Sequence, residues 1–520
     1  MNYVQSAFSA ELDLLPRATR FFLPFVAQTA NGYSILKSGP LVVDSLDNEP
    51  QYVALAHRWS YEDARKSLDL NGAVFTIDEN LHRGIVRTTQ QHPNVAMWMD
   101  AISINMGNLS ERSHQVRMMS DIFKQAEYVI AWLGDDEPPY EDAVSQVLSA
   151  ASDGDFAANH LVSLSNIFAW LFSKPFWDRL WVCQEILLAR KAVIQCGPCS
   201  IPLLQVLQAG DNIATAVERQ VMTIADWECS ANLSAKRAFK IGGIIQKVRG
   251  MGKREKLPEM LYVFRHQECT EPRDRFYSMI AMIDDAEKDE LDTKIDYAVD
   301  KNVTLREMTL SLVRKSGAID LLSTNNVDIQ SSSEAWPQWM PQWDQEIYDY
   351  PLAPGVFDPS RKLLYHAFDD APAQAAKPSV LRPGTLESDV LSLGSVSSTI
   401  PISDPNTMSV QLSRATVPWQ PCTTFGHQET LSQALHRTIL EDRIMFPPDT
   451  FVRLDPRHSG ATGFVGGYSY TDGGKIGNGP RGMEVGDEIV VFPGAYVPHV
   501  VRRGVYHRRG TYDYRLIGEW

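Results

Sequence analysis

The chain has 520 residues, too many for one ordinary domain of about 100–150 residues, so about two to four cores are expected. Hydrophobic residues make up 44%, charged residues 22% and aromatics 10%, which excludes a disordered or fibrous chain. The formal net charge of −15 opposes non-specific binding to nucleic acid or to an anionic membrane surface.

Met1-Asn2-Tyr3-Val4 shows no basic stretch leading into an apolar run, and no signal peptide is expected. Apolar runs such as Tyr128 to Leu133 are far shorter than the roughly 20 residues of a membrane span, so no transmembrane helix is expected either. The six cysteines, at 183, 196, 199, 229, 269 and 422, do not form a secreted disulfide framework. A cytoplasmic location is therefore expected.

Residues 1–51 read as an N-terminal extension. From 52 to 200, short β-rich apolar runs alternate with helical patterns, which predicts an α/β domain with a mainly parallel sheet flanked by helices. The strand candidates are Tyr52–Ala56, Ala96–Ala101, Tyr128–Leu133 and Lys191–Cys196. Gln115, Val116, Met119, Ile122, Phe123 and Ala126 carry the spacing of a helix with one buried stripe, with Ser110 as N-cap and Glu111 at the positive end of the dipole. Residues 201–335 read as helical, 336–385 as a linker rich in Pro, Ser and Ala, and 386–520 as a small β-rich module with a mobile Gly-rich stretch over 459–482. The basic residues Arg502, Arg503, His507, Arg508 and Arg509 read as a solvated strand face or loop.

Three motifs carry little. Gly477, Gly479 and Gly482 match a dinucleotide-loop pattern, but Pro480 interrupts it and no strand-to-helix context surrounds it. No nucleophile elbow and no phosphate-binding P-loop occurs. Cys196-Gly197-Pro198-Cys199 has the spacing of a zinc or redox pair but lacks a convincing second pair, so these thiols read as structural and no metal or cofactor is expected.

The window from Phe176 to Arg190 holds more chemistry. Helical spacing places Trp177, Trp181 and Glu185 along one face, with Leu188 continuing it. A carboxylate among Val182, Ile186 and Leu188 loses hydration, so it must be paired, shift its pKa upward or open onto a cleft. One reading is a buried ion pair with Arg58 or Arg179; the other is a catalytic carboxylate beside an aromatic wall, suited to an oxocarbenium-like transition state at a sugar. Cleavage of nicotinamide from NAD⁺ is of that class, and its leaving group departs neutral.

A second constellation follows the first two strands: His57-Arg58-Trp59-Ser60, and Asp100 through Asn105. Parallel sheets present ligand-binding loops there. Arg58 can hold a phosphate, Trp59 can stack on a base, and Asp100 or Asn105 can bind a hydroxyl. The competing reading makes Trp59 and Trp98 core residues and Asp100 a cap for the next turn.

Several ordered blocks resemble the fungal heterokaryon-incompatibility (HET) family. They are Tyr52-Val53-Ala54-Leu55-Ala56-His57-Arg58-Trp59-Ser60, Trp98-Met99-Asp100-Ala101-Ile102-Ser103-Ile104-Asn105, Val129-Ile130-Ala131-Trp132-Leu133-Gly134, and Trp177 to Ala189. Pro272-Arg273-Asp274-Arg275-Phe276-Tyr277-Ser278, Trp339-Met340-Pro341-Gln342-Trp343 and the segment from Gly486 to Glu519 resemble parts of full-length members. Met106 stands where the family usually has Gln, and His57-Arg58 and Ser60 depart from its usual S-Y-x-W-G. The family is distantly similar to Toll/interleukin-receptor (TIR) domains, which implies a TIR- or flavodoxin-like sheet. It also implies a role in non-self recognition leading to programmed cell death.

The tryptophan-to-glutamate spacing of Trp181-Val182-Cys183-Gln184-Glu185 matches the TIR catalytic pattern. The resemblance implies Glu185 as the catalytic residue of an NAD⁺ glycohydrolase, with Arg58, Trp59, Ser60, Asp100, Asn105, Arg179 and Trp181 around the substrate. It further implies activation by self-association or by an incompatibility partner. The alternative is a non-catalytic adaptor that signals by TIR-like association.

Overall fold

The computed structural model describes residues 17–28, 34–59, 65–139, 142–152, 158–218, 257–264, 267–283, 285–291, 294–316, 340–341, 343, 379–382, 385–387, 391–401, 443–446, 450–453, 467–471, 476–479, 483–492, 498–507 and 511–519. The chain divides into two compact units. The first comprises Met1–Leu257, His266–Lys288 and Thr293–Lys301, and the second Pro258–Arg265, Asp289–Asp292 and Asn302–Trp520.

The first unit opens with strands β1 (Ala18–Phe22), β2 (Phe25–Gln28), β3 (Ser34–Gly39) and β4 (Leu41–Ser45). Next come β5 (Tyr52–His57), the hairpin β6 (Arg65–Leu70) and β7 (Ala73–Asp78), helix α1 (Glu79–Gln91), β8 (Ala96–Trp98) and helix α2 (Leu109–Gln125). Then follow β9 (Val129–Gly134), α3 (Ala143–Ser152), α4 (Ala158–Phe172), α5 (Val182–Leu187), β10 (Ala192–Cys196), β11 (Cys199–Pro202), α6 (Leu203–Glu218) and α7 (Asp274–Ile280).

Seven of these strands form one sheet in the order β11-β10-β9-β5-β8-β1-β4. The pairs β10/β9, β9/β5 and β5/β8 are parallel, and the edge strands join antiparallel. The four expected strands are thus the parallel centre. Taken in chain order they lie second-first-third-fourth, the order of flavodoxin-like doubly wound sheets, whose ligand crevice opens beyond the carboxyl ends of the strands.

All six residues of β5 are buried, as expected of a strand covered on both faces. On one face Val53, Leu55, Met97, Ile130 and Trp132 pack with Leu81 and Ile85 of α1. On the other, the Tyr52 hydroxyl donates to the Ile122 carbonyl at 2.6 Å and Trp98 meets Phe123 edge-on at 5.4 Å, both partners lying on α2. The stripe read from the sequence of α2 is therefore its core face. Its cap differs from expectation: the Asn108 side chain, not Ser110, accepts from the backbone N–H groups of Ser110 and Glu111.

The β6–β7 hairpin turns through Asn71 and Gly72, both at positive φ, the conformation for which Asn-Gly is suited. It completes a four-stranded sheet β2-β3-β6-β7. Gly84 of α1 lies against Trp132, where an added Cβ would meet the indole at 3.0 Å.

In the second unit, helix α8 (Lys301–Ser316) is followed by the paired strands β12 (Ser379–Arg382) and β13 (Thr385–Glu387). The remaining strands are β14 (Leu391–Pro401), β15 (Arg443–Phe446), β16 (Thr450–Arg453), β17 (Gly467–Thr471), β18 (Ile476–Gly479), β19 (Glu488–Val491), β20 (His499–His507) and β21 (Thr511–Glu519). Six of them form an antiparallel sheet, β18-β17-β14-β19-β20-β21, over Val396, Met483, Ile489 and Val500. Gly477 and Gly479 lie inside β18, paired to β17, so the Gly-rich stretch expected to be mobile carries two strands. Arg502 and Arg503 of β20 are ion-paired to Asp487 and Glu488, while Arg508 and Arg509 lie outside the described residues. No helix among the described residues is long and apolar enough to cross a membrane.

Candidate functional site

The carboxyl end of β5 delivers His57, and the end of β8 leads through Met99 into a single helical turn that starts at Asp100. The His57 ring is 1% exposed, and neither ring nitrogen has a hydrogen-bond partner among the described residues. Its Nδ1 faces the Asp100 carboxylate at 3.9 Å, beyond hydrogen-bond reach. Trp59 stacks on the imidazole at 6.3 Å and donates its indole N–H to Asp100 at 3.0 Å. Burial lowers the His57 pKa, and the Arg179 charge pushes it the same way against Asp100 and Asp78, so the ring is held neutral.

Glu185 joins this group from α5. It is 3% exposed, and its carboxylate meets Arg179 through two long contacts, Nη2 to Oε1 at 3.3 Å and Nη1 to Oε2 at 3.4 Å. Well-formed charge-assisted bonds are about 2.7–2.9 Å, so the pair is loosely held. Burial raises the Glu185 pKa to about 7, with Asp100 adding to the rise and Arg179 opposing it. Cys183, two residues back, has its thiol pushed up by burial and by Glu185. Gln184 is fully buried with neither amide atom partnered among the described residues.

The expected face shared by Trp177, Trp181 and Glu185 is not one helix. Pro175–Asp178 is a 3₁₀ turn, Arg179 is extended at φ −70° and ψ 134°, and α5 starts at Val182. The break is tertiary in origin: Arg179 bridges Glu268 in parallel, the Leu180 N–H donates to the Glu268 carbonyl at 2.9 Å, and Gln267 Nε2 donates to the Trp177 carbonyl at 2.6 Å. Trp177 is a core residue, stacked on Phe172 at 4.9 Å. The Trp181 indole N–H donates to Asp274 Oδ2 at 3.0 Å.

The sequence-chosen residues thus divide. Trp59, Asp100, Arg179 and Glu185 come together around His57. Arg58 is exposed, and the counter-charge of Glu185 is Arg179. Asn105 organises its own turn, its side chain accepting from the Gly107 N–H at 3.2 Å while its backbone N–H donates to Glu111 at 2.7 Å. Ser60 lies outside the described residues. Trp98 is a core residue, and its N–H donates to Thr19 at 3.0 Å.

His57 and Gln184 stood in the quoted blocks without a role; an uncompensated polar residue at the end of a buried run was the available signal. Asp274 was missed because it lies far along the chain. It accepts from Trp181 and from the Tyr297 hydroxyl at 2.5 Å, and Arg112 approaches to 3.7 Å. Its pKa is raised to about 6 by burial, against the pull of those three partners.

Cys196 and Cys199 face each other across the β10–β11 hairpin as free thiols. Burial pushes Cys196 up to about 12 and raises Cys199, the reverse of the thiolate-favouring setting that redox chemistry uses. Among the described residues no group of three His, Cys, Asp or Glu side chains is placed to hold a metal ion.

Residues 52–185 match the family model described as "Heterokaryon incompatibility protein (HET)". Over 369 residues the chain is 22% identical to "Heterokaryon incompatibility protein 6, OR allele" of Neurospora crassa, an alignment covering 57% of this chain and 54% of that protein. The chain therefore spans about half the length of that curated relative. No solved structure matches it. The matched span begins at the first residue of β5 and ends on Glu185, enclosing His57, Asp100 and Arg179, and it is this part of the chain that is similar to the heterokaryon incompatibility (HET) domain.

Proposed function

We propose that this chain acts in heterokaryon incompatibility, in the cytoplasm, as an effector whose HET domain cleaves NAD⁺ once self-association or a partner opens the Glu185 cluster. The observation that carries the reading is the cost of that cluster. Among the described residues the His57 imidazole and the Gln184 amide are buried with no hydrogen-bond partner, and the Glu185 carboxyl of the same cluster titrates near 7, at the carboxyl end of a doubly wound sheet. Unpaired buried polar groups destabilise a fold by about 1–3 kcal/mol each, so stability alone is a poor reason to keep them.

The strand order supports the TIR-like reading of the domain. In the proposed reaction the C1′–N glycosidic bond breaks and its electron pair leaves with neutral nicotinamide. Ionised Glu185 stabilises the ribosyl cation, and water adds to C1′ with release of one proton. The loose Arg179 contacts make Glu185 available when the domain opens. Assembled full-length protein incubated with NAD⁺ should release nicotinamide, and Glu185→Gln should abolish that release; equal turnover by the variant removes Glu185 from the mechanism.

The second reading is a recognition adaptor without turnover. Its supporting observation is the same closed pair, since a carboxylate sealed at 3% exposure against a guanidinium is also a plain structural ion pair. It predicts partner-dependent death that survives Glu185→Gln.

A further inference from the structure

The segments 267–283 and 294–299 lie beyond the span matched to the HET family, yet within the first unit they grip both sides of the start of α5. Upstream of α5, residues 267 and 268 are bonded to 177–180. The Glu268 N–H donates to the Asp178 carbonyl at 2.5 Å, the Leu180 N–H returns to Glu268 at 2.9 Å, and Gln267 holds the Trp177 carbonyl at 2.6 Å. At the N-terminus of α5, Asp274 accepts the Trp181 indole N–H. Arg179 is the extended residue at which the helix breaks, Trp181 is the N-cap of α5, and Arg179 is the counter-charge of Glu185.

The far end is pinned to α2. The Tyr297 N–H donates to Ser113 Oγ at 2.9 Å, the Arg112 guanidinium lies 3.8 Å over the Tyr297 ring, and the Tyr297 hydroxyl holds Asp274. Arg273 closes the loop on itself, bonding the Tyr297 and Val299 carbonyls and the Glu271 carboxylate. A segment about ninety residues away in sequence from α5 is thus cross-linked to it by backbone pairing and by one charged node, Asp274.

We infer that residues 267–283 and 294–299 are a strap holding the Arg179–Glu185 region closed, with the Asp274–Tyr297–Arg112 node as its fastening, and that activation of the site proceeds by its release. The consequence for turnover rests on the NAD⁺ reading above; the strap itself does not. Asp274 is buried and shared by two hydrogen-bond donors, Trp181 and Tyr297, and the nearby Arg112 charge, so removing one partner unbalances the others. The backbone pairing at 267–268 is short, and few bonds need to open for α5 to move.

Hydrogen exchange of the full chain, followed peptide by peptide, tests this. Tyr297→Phe removes one hydroxyl, and Asp274→Ala removes the node. Each should speed exchange over 178–188 by about ten-fold or more while leaving α2 and β5 unchanged, with Asp274→Ala the larger. Unchanged exchange over 178–188, or an equal rise across the whole first unit, overturns the strap. Should Asp274→Ala fail to fold, Tyr297→Phe alone gives the same decision. Nicotinamide release is read in parallel: local opening with raised turnover supports both readings, and local opening without turnover in any preparation leaves the strap standing and removes the NAD⁺ reaction.

Discussion

The Glu185 carboxylate lies 3.3 Å from the Arg179 guanidinium, and these two residues stand on opposite sides of a helix start. Arg179 is extended and belongs to the backbone pairing with Glu268, whereas Glu185 belongs to α5. The pair therefore reports the position of α5 relative to the segment before it. Removing one partner of a buried pair costs about 3–5 kcal/mol, because the other charge is left uncompensated, whereas replacing both can be neutral.

Arg179→Met should accordingly destabilise the first unit by about 2–4 kcal/mol, somewhat below the usual cost because Glu185 can take up a proton instead. The double variant Arg179→Met with Glu185→Gln should regain most of the loss. Chemical denaturation of the four proteins of this cycle checks the expectation, and additive losses would show that the two groups are not coupled.

Stability should depend on pH through Glu185 in a definite direction. Its folded pKa, about 7, lies above the ordinary 4.5, so the native state binds more protons between those values. The stabilisation is fully present below 4.5 and is lost as pH rises through about 7. Asp274 acts the same way over the window from 3.8 to about 6. His57 opposes both: its pKa is lowered from 6.5, so its contribution is present above 6.5 and is lost as pH falls through the folded value. The Glu185→Gln variant isolates one group. Its melting temperature relative to the parent should rise between about pH 5 and about pH 8, and a flat difference would contradict the raised pKa.

Asp100→Asn should lower the Glu185 titration point, because the Asp100 charge is one of the groups holding it up. The same substitution should lower the His57 pKa further, since Asp100 is the first of the charges that raise it. Carboxyl and imidazole resonances followed by NMR through a pH titration would register both shifts, and an unmoved Glu185 would place Asp100 outside its field.

Gly84→Ala tests the packing under the site. The substitution gains about 1 kcal/mol in helix propensity. It also drives a methyl group to 3.0 Å from Trp132, whose ring is fully buried and whose N–H is held by Asn80 at 2.9 Å. Overpacking of a fixed ring costs about 1–3 kcal/mol, so a net loss of about 1 kcal/mol is expected by denaturant titration.

In the second unit, Arg502→Ala should cost about 3 kcal/mol, because it strands the Asp487 carboxylate, 2% exposed and gripped at 2.7 and 3.0 Å. Arg503→Ala, which breaks a pair whose arginine side chain is 51% exposed, should change stability by less than about 0.5 kcal/mol. Equal effects in thermal unfolding would contradict the difference in burial.

The elements legible in the sequence were those whose signal is local. Tyr52–His57 is a continuous apolar run because both faces of β5 are covered, and α2 carries its stripe because one face meets Tyr52 and Trp98. The parallel centre of the sheet and the carboxyl-end placement of His57, Trp59 and Asp100 follow from such patterns. The β6–β7 hairpin was equally local, with Asn71-Gly72 at its turn and the buried Leu68 and Leu70 alternating with Asp69, yet it was not among the expected strands.

Sequence alone determined the α/β class, the order of the strand-forming blocks and the choice of Glu185 as the residue to examine, since periodicity and spacing are properties of a few consecutive residues. Tertiary structure decided that the helix breaks at Arg179, that Arg179 rather than Arg58 neutralises Glu185, that the His57 ring is buried with no hydrogen-bond partner among the described residues, and that Asp274 holds Trp181. Each of those outcomes depends on groups brought together from distant parts of the chain. Burial then sets how strongly their charges act on one another, and no local pattern of residues encodes that.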